Sequence, residues 1–202
     1  MLKNHSELFE LERILFNFPD NADSKGFINL YPDALVHIPQ TGETLQFGDV
    51  SVDILYTHED DRDLLTSAYT YESRNEGFND TSTVIRINFD GKTCLILGDV
   101  SAHIGNILES HYSAEQLQSD VIQIAHHGVN PMHNFYAIVD AKIGLVPNHP
   151  TDVKKEVAPS LESSCDELYY GGEETVGIRV IDGEVQAFYH RPIIYTEDKM
   201  PG

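Results

Sequence analysis

The chain has 202 residues, of which 41% are hydrophobic, and a formal net charge of -20 at pH 7. This length and composition predict a single domain over residues 1 to 202 with a real hydrophobic core, and exclude a largely disordered chain. The excess of carboxylates argues against a nucleic-acid substrate, because phosphate backbones are bound mainly by Lys and Arg.

The N-terminal forty residues are predicted to contain a helix and a loop. Residues 1 to 7 lack the charged start and apolar core of a signal peptide, which predicts a cytoplasmic protein. If the chain is part of a longer one, an export signal would lie on the missing part. Apolar residues at helical spacing, with Ser6 as cap, predict a helix over residues 6 to 15. The polar stretch 19 to 27 predicts a loop, and residues 30 to 38 fit either a short helix or a strand.

From residue 43 onwards, alternating apolar residues predict strands paired as hairpins. Three hairpins are predicted: residues 44–47 with 51–56, 83–89 with 92–97, and 175–181 with 184–189. The last two turn through Asp-Gly, the dipeptide typical of tight hairpins. The long acidic segment 58 to 80 is predicted to be a loop that could fold over a site.

Helices and strands alternate in the middle of the chain. Ser101 can cap a helix whose apolar residues between Ile104 and Tyr112 share one face. Further strands are predicted at residues 121–125 and 143–146, and further helices at 134–139 and 151–162, the last interrupted by Pro159. Hairpins mixed with helices predict an α/β layered fold with a mixed sheet. Residues 191 to 202 are predicted to be a frayed tail.

Two predicted strands end in side chains that can bind a metal. Asp99 follows the strand 92–97, and His126-His127 follow the strand that begins at Val121. Zinc is bound by imidazole nitrogen and carboxylate oxygen, and catalytic zinc keeps a position open for a water that can attack an ester. Since ligands gather at strand ends in α/β sheets, the three side chains predict a metal-dependent hydrolase site. Taken alone, Gly-Asp after a strand is an ordinary turn pair.

These motifs carry a resemblance to a known family. Leu95-Ile-Leu-Gly-Asp99, then a helix, then Ser119 through His126-His127-Gly128, resembles the second half of the metallo-β-lactamase fold, and most closely its competence-protein-type branch. Asn79-Asp-Thr-Ser-Thr-Val84 and the predicted hairpin after Gly42 also fit this branch. The resemblance spans about residues 35 to 190. It implies half of an αββα sandwich, with a mixed sheet built from hairpins and flanked by helices.

The resemblance also implies roles for the residues at the site. Asp99 would bridge two metals and take part in catalysis, His127 would be a metal ligand, and His126 would contact substrate or a developing negative charge. The reverse assignment of the two histidines stays open. Asn79 stands where related enzymes often have another His, and would orient the site by hydrogen bonding unless it is only a turn residue. His149 follows a predicted strand and could reach the same edge.

One part of the family pattern is absent. The family begins with a His-x-His-x-Asp-His loop that supplies most of the metal ligands, and this sequence has none; its nearest segment, residues 57 to 62, has one His and is interpreted as a solvated acidic loop. The chain is therefore interpreted as the C-terminal part of a hydrolase that cleaves a phosphoester or carboxylic ester with metal-bound water and is inactive alone. A divalent metal, zinc by its ligands, belongs to the complete enzyme and would be weak or absent in this chain.

An alternative function and several partners stay open. The chain could be a non-catalytic binding or interaction module that kept the fold and lost its metal site. The expected partners are a small ester or phosphoester substrate and either the missing N-terminal half or a second copy in a homodimer, with neither nucleic acid nor membrane. A lone second half would expose apolar strand faces around residues 85 to 89. Residues 1 to 40 or a second chain are therefore expected to cover that face.

Overall fold

The computed structural model describes residues 11–17, 22–58, 79–172 and 174–190. These ranges contain the following strands: β1 (Arg13–Leu15), β2 (Leu35–His37), β3 (Thr44–Phe47), β4 (Val50–Tyr56), β5 (Val84–Phe89), β6 (Lys92–Ile96), β7 (Val121–Gln123), β8 (Ile143–Val146), β9 (Glu167–Tyr170), β10 (Thr175–Ile181) and β11 (Glu184–His190). They also contain the following helices: α1 (Ala22–Ile28), α2 (Ala102–His111), α3 (Ala114–Leu117), α4 (His133–Val139) and α5 (Ala158–Ser164). None of the helices in these ranges is long and apolar enough to cross a membrane.

The strands β3 to β9 form one seven-stranded sheet in chain order. Neighbours from β3 to β6 are antiparallel, and neighbours from β6 to β9 are parallel. Two smaller sheets accompany it, a parallel pair of β1 with β2 and an antiparallel hairpin of β10 with β11. The predicted mixed α/β sheet, built from hairpins and flanked by helices, is therefore confirmed.

The helices cover one face of the large sheet and bury the larger apolar cluster there. Its fully buried members include Leu95, Leu97, Ile122 and Ile124 from the sheet side, and Ile104, Leu108, Phe135, Tyr136 and Leu161 from the helices. Burial of such side chains stabilises the fold by about 25 cal/mol per Å² of apolar surface. The carboxyl ends of β6 and β7, where the candidate site lies, are anchored by this cluster.

The opposite face of the sheet is covered in part by the hairpin β10–β11. Cys94, Val121 and Ile143 form a second buried cluster with Val185 of β11, and Ile87 and Phe89 pack against it. Nearer the β3 edge, Leu15, Phe16 and Asn17 line a cavity of about 490 Å³ together with the apolar residues Leu45, Val52, Ile54 and Ile85. The sheet face around residues 85 to 89, which was predicted to need a cover, is thus partly covered by β10–β11. Phe16 and Asn17, which follow β1, lie beside it.

The structure corrects two predictions in the N-terminal region. Residues 13 to 15 form β1, paired with β2, whereas a helix over 6 to 15 was predicted; residues 6 to 10 lie outside the described ranges. Residues 22 to 28 form α1, whereas a loop was predicted. The reason is tertiary packing, since the ring of Phe27 lies 5.8 Å from that of Phe16 and 5.4 Å from that of Tyr31. Such contacts override the weak helix propensity of a polar stretch.

Other boundaries also differ from the predictions. The region predicted as one helix over 151 to 162 is a short 3₁₀ turn, Pro150–Asp152, followed by α5. Pro159 lies in the first turn of α5, where its missing N–H is not needed, so it starts a helix and does not interrupt one. Thr57 and His58 are buried, so the predicted acidic loop does not begin in solvent. The rest of that loop up to residue 78, and the predicted tail 191 to 202, lie outside the described residues.

Candidate functional site

Asp99 lies just beyond the end of β6, in a turn whose backbone is fixed by two side chains. The N–H groups of Leu97 and Gly98 donate to Oε1 of Gln123, at 3.0 and 2.7 Å. The N–H of Asp99 donates to Oγ of Ser82 at 3.1 Å. These bonds hold the backbone, while the Asp99 side chain stays 44% exposed and its carboxylate remains accessible.

The two histidines lie in a strained turn directly after β7. His126, His127 and Gly128 have φ angles of 45°, 57° and 75°, three successive residues in the left-handed region. This region is natural for Gly, but it costs a residue with a side chain about 1–2 kcal/mol. The turn is held by the His126 N–H, which donates to the carbonyl of Gly98 at 3.0 Å. The strained backbone therefore ties the histidines to the turn that carries Asp99.

His127 is oriented towards Asp99 by a hydrogen bond behind its ring. Its Nδ1 lies 2.8 Å from the carbonyl oxygen of Pro147. Because a carbonyl can only accept, Nδ1 carries the hydrogen, and the neutral ring has its lone pair on Nε2. That Nε2 lies 3.6 Å from Oδ1 of Asp99. The side chain of Asn148 donates to the His127 carbonyl at 3.0 Å and steadies the same residue.

His126 is held by two amides. Nδ2 of Asn130 lies 2.9 Å from its Nδ1. Nδ2 of Asn79 lies 3.4 and 3.3 Å from Nδ1 and Nε2. The ring centroids of His126 and His127 are 6.1 Å apart. The structure thus brings Asn79, Asp99, His126 and His127 together at one end of the sheet.

A short segment before β5 contacts several parts of this site. The Asp80 carboxylate accepts from the Ser101 N–H at 2.6 Å and from the Ser101 hydroxyl at 2.8 Å. Ser101 in turn caps α2, accepting from the N–H of His103. With Asn79 beside His126 and Ser82 bonded to Asp99, residues 79 to 82 link both strand ends to the start of α2.

Sequence reasoning missed several residues that position the site, among them Asp80, Gln123 and Asn130. Gln123 did carry a signal, since it is a polar residue in an otherwise apolar predicted strand. His149, predicted as a further residue near the site, has its Nδ1 2.8 Å from the Thr151 hydroxyl and caps the 3₁₀ turn that follows it. Both bonds of the His149 Nδ1, to the hydroxyl and to the N–H of Thr151, lie within its own turn.

Neither cysteine contributes a nucleophile to this region. Burial raises the pKa of Cys94 to about 11, and burial together with the nearby carboxylates of Asp166 and Asp140 raises that of Cys165 to about 11. The reactive form of a cysteine is the thiolate, and these thiols stay protonated at neutral pH. Within the described ranges, no three His, Cys, Asp or Glu side chains are close enough to hold a metal ion together.

Comparisons with known proteins give likenesses among solved structures but no match among sequences. No protein-family model matches the chain, and no curated protein sequence matches it. Among solved structures, it is similar to the metallo-beta-lactamase fold protein YhfI from Bacillus subtilis, with 13% sequence identity and a TM-score of 0.48. The aligned region covers 92% of this chain and 69% of that one.

Proposed function

We propose that the chain is the C-terminal part of a metal-dependent hydrolase of the metallo-β-lactamase superfamily, in its competence-protein-type branch. Its substrate would be a small phosphoester or carboxylic ester, and a cytoplasmic location is part of the proposal. The observation that carries it is the approach of His127 Nε2 to Asp99 Oδ1 at 3.6 Å, with Nδ1 bonded to a carbonyl. A metal-binding histidine usually donates its other ring N–H in this way.

The donor set fits a divalent cation such as zinc. A separation of 3.6 Å is too long for a hydrogen bond between the imidazole and the carboxylate. Two donors bound at about 2.0–2.2 Å to one tetrahedral ion lie roughly 3.4 Å apart, close to this separation. Imidazole nitrogen and carboxylate oxygen are also the donor types that zinc takes. Asp99 and His127 are therefore assigned as the ligands.

The remaining side chains would handle the substrate. When bound, a divalent ion would polarise a substrate oxygen and make water a better nucleophile near neutral pH. His126, held between Asn79 and Asn130, is available to contact the substrate or the negative charge that develops on it. Ser82 and Gln123 keep the Asp99 backbone in place during these steps.

The same geometry explains why the chain would be inactive alone. Catalytic zinc takes three protein ligands, and Asp99 with His127 supply two. The remaining ligands would come from the missing N-terminal half or from a second copy of the chain. The reading frame upstream of Met1 tests the first source: a continuous frame that encodes His-x-His-x-Asp-His supports the proposal, and an in-frame stop codon contradicts it.

Metal titration tests the assignment of ligands. Isothermal titration of the chain with zinc should give weak binding that is lost in Asp99→Asn and in His127→Ala. His103→Ala is the matched control, because His103 is exposed and lies on α2 next to its cap Ser101. Zinc affinity equal in all four proteins would overturn the assignment of Asp99 and His127.

The second candidate is a non-catalytic module that has lost its metal site. It is favoured by one observation, that the neighbour of His126 is the amide of Asn79. An amide is a weak zinc ligand compared with imidazole or carboxylate. Unchanged histidine NMR signals on addition of excess zinc would support this candidate over the hydrolase.

A further inference from the structure

The two adjacent histidines of the site are held in opposite ways. For His127, the partner of Nδ1 is the carbonyl oxygen of Pro147, at 2.8 Å. This group has no hydrogen to give, so the ring must donate from Nδ1. In the neutral ring, Nε2 then carries the lone pair and faces Asp99.

For His126, the partner of Nδ1 is the side-chain amide of Asn130, at 2.9 Å. Which end of an amide faces a neighbour has to be decided from the surrounding hydrogen bonds. The same nitrogen of Asn130 lies 3.4 Å from the carbonyl oxygen of Val100. Since that carbonyl can only accept, the NH₂ end of Asn130 faces both groups. Asn130 therefore donates to His126 Nδ1, and the hydrogen of the neutral His126 ring lies on Nε2.

We propose that Asn130 is a positioning residue that fixes His126 as its Nε2–H tautomer, opposite to that of His127. The pair then presents one hydrogen-bond donor, His126 Nε2–H, beside one lone pair, His127 Nε2. This arrangement suits an acceptor oxygen of a phosphoester or carboxylic ester at His126, next to a cation bound by the lone pair of His127. This last step rests on the proposed function, whereas the two tautomers do not.

The amide of Asn79 fits the same arrangement when its orientation is considered. It lies 3.3 Å from His126 Nε2, which in this tautomer carries a hydrogen. Rotated by half a turn, the amide would present Oδ1 as an acceptor to that hydrogen. Asn79 would then occupy the donor of His126 in the free protein, and a substrate oxygen would replace it.

Long-range ¹H–¹⁵N NMR spectra of histidine-labelled, zinc-free protein test the proposal. At about pH 8, the two tautomers of a neutral imidazole have distinct nitrogen shifts in these spectra. His126 should show an excess of Nε2–H of roughly fivefold, the ratio that a hydrogen bond of about 1 kcal/mol provides. His127 should show Nδ1–H. His126 found as Nδ1–H in the native protein would overturn the proposal.

Asn130→Asp gives the decisive variant. A carboxylate can only accept, so His126 should change to the Nδ1–H tautomer while His127 keeps its own, which also reports that the loop is intact. Asn134→Asp is the matched control, because Asn134 is exposed on α4, and it should leave both rings unchanged. An unchanged His126 in a folded Asn130→Asp protein would contradict the role of Asn130. If that variant does not fold, Asn130→Ala takes its place and should lower the Nε2–H excess of His126. An unchanged excess in Asn130→Ala would also contradict the role of Asn130.

Adding zinc separates this inference from the proposed function. If the role of Asn130 and the hydrolase proposal are both correct, zinc moves the Nε2 signal of His127 and leaves His126 in its Nε2–H form. If the tautomers are as proposed but zinc moves neither ring, the hydrolase proposal fails and the role of Asn130 stands. If zinc binds His127 but His126 is Nδ1–H, the role of Asn130 fails and the metal assignment stands.

Discussion

Replacing Gly128 with Ala tests how tightly the histidine turn is constrained. Gly128 has a φ of 75°, and an added Cβ would lie 3.2 and 3.3 Å from the two methyl carbons of Val153. The left-handed backbone costs about 1–2 kcal/mol for a residue with a side chain. Overpacking against a buried neighbour adds roughly 1–2 kcal/mol. We therefore expect Gly128→Ala to lower the free energy of unfolding by about 2–4 kcal/mol.

Urea denaturation followed by circular dichroism measures this change, with Gly91→Ala as the matched control. Gly91 has nearly the same φ, 72°, but nothing lies within 4 Å of an added Cβ. Its substitution should show the backbone cost alone, about 1–2 kcal/mol. A double-mutant cycle with Val153→Ala should recover the packing part of the Gly128→Ala loss. Equal losses in the two alanine variants, with no coupling to Val153, would refute the reasoning.

Three further predictions concern other parts of the structure. Asp80→Ala should lower the free energy of unfolding in urea by about 1–3 kcal/mol, because the N–H and hydroxyl of Ser101 lose their acceptor. Burial would raise the pKa of Asp120, but hydrogen bonds from Thr93 and the charge and hydrogen bond of Lys92 together outweigh it and hold the pKa below its usual value. The stability from this carboxylate is thus present above a pH of about 4 and is lost as the pH falls through the folded-state pKa. Asp120→Asn should therefore reduce the loss of stability over this pH range. An unchanged dependence of stability on acid pH would contradict this prediction. After dialysis against a mild chelator, elemental analysis should find zinc well below one per chain; stoichiometric zinc would contradict the predicted weak site.

The central strands could be predicted from the sequence because their signals are local. Alternating apolar residues define the faces of β5 and β6, and Asp90-Gly91 supplies the turn between them. In the structure Asp90 and Gly91 both have positive φ angles, 49° and 72°, as such a turn requires. The final hairpin repeats this arrangement with Asp182-Gly183. In these segments the tertiary structure and the local preference agree.

The N-terminal region could not be predicted because its structure depends on distant contacts. The apolar spacing up to Ile14 suits a helix, yet Ile14 pairs with Val36 of β2, about twenty residues along the chain. The side-chain amide of Asn17 donates to the carbonyl of Thr81 at 3.3 Å, far along the sequence. A local pattern contains no information about either partner.

The candidate site also contains residues that could be predicted from the sequence and residues that could not. Asp99 and the His126-His127 pair could be found because they follow apolar strands, and parallel strands deliver their ends to one edge. Their hydrogen-bond partners could not, because contacts such as Asn130 to His126 depend on the left-handed backbone of the turn between them. The motif therefore shows which residues meet, and the turn determines which atoms face each other.

The strain in that turn bears on the choice between the two candidate functions. His126 and His127 both have left-handed backbones, at a cost of about 1–2 kcal/mol each. Glycine or asparagine at these positions would keep the turn with less strain. A module that only needed its fold would gain stability from such replacements, since stabilising changes are common where function does not oppose them. His127 faces Asp99 and is held by Pro147, and His126 is held by Asn130. The strain of this pair is thus a physical argument for the proposed role of the imidazoles in binding or reaction.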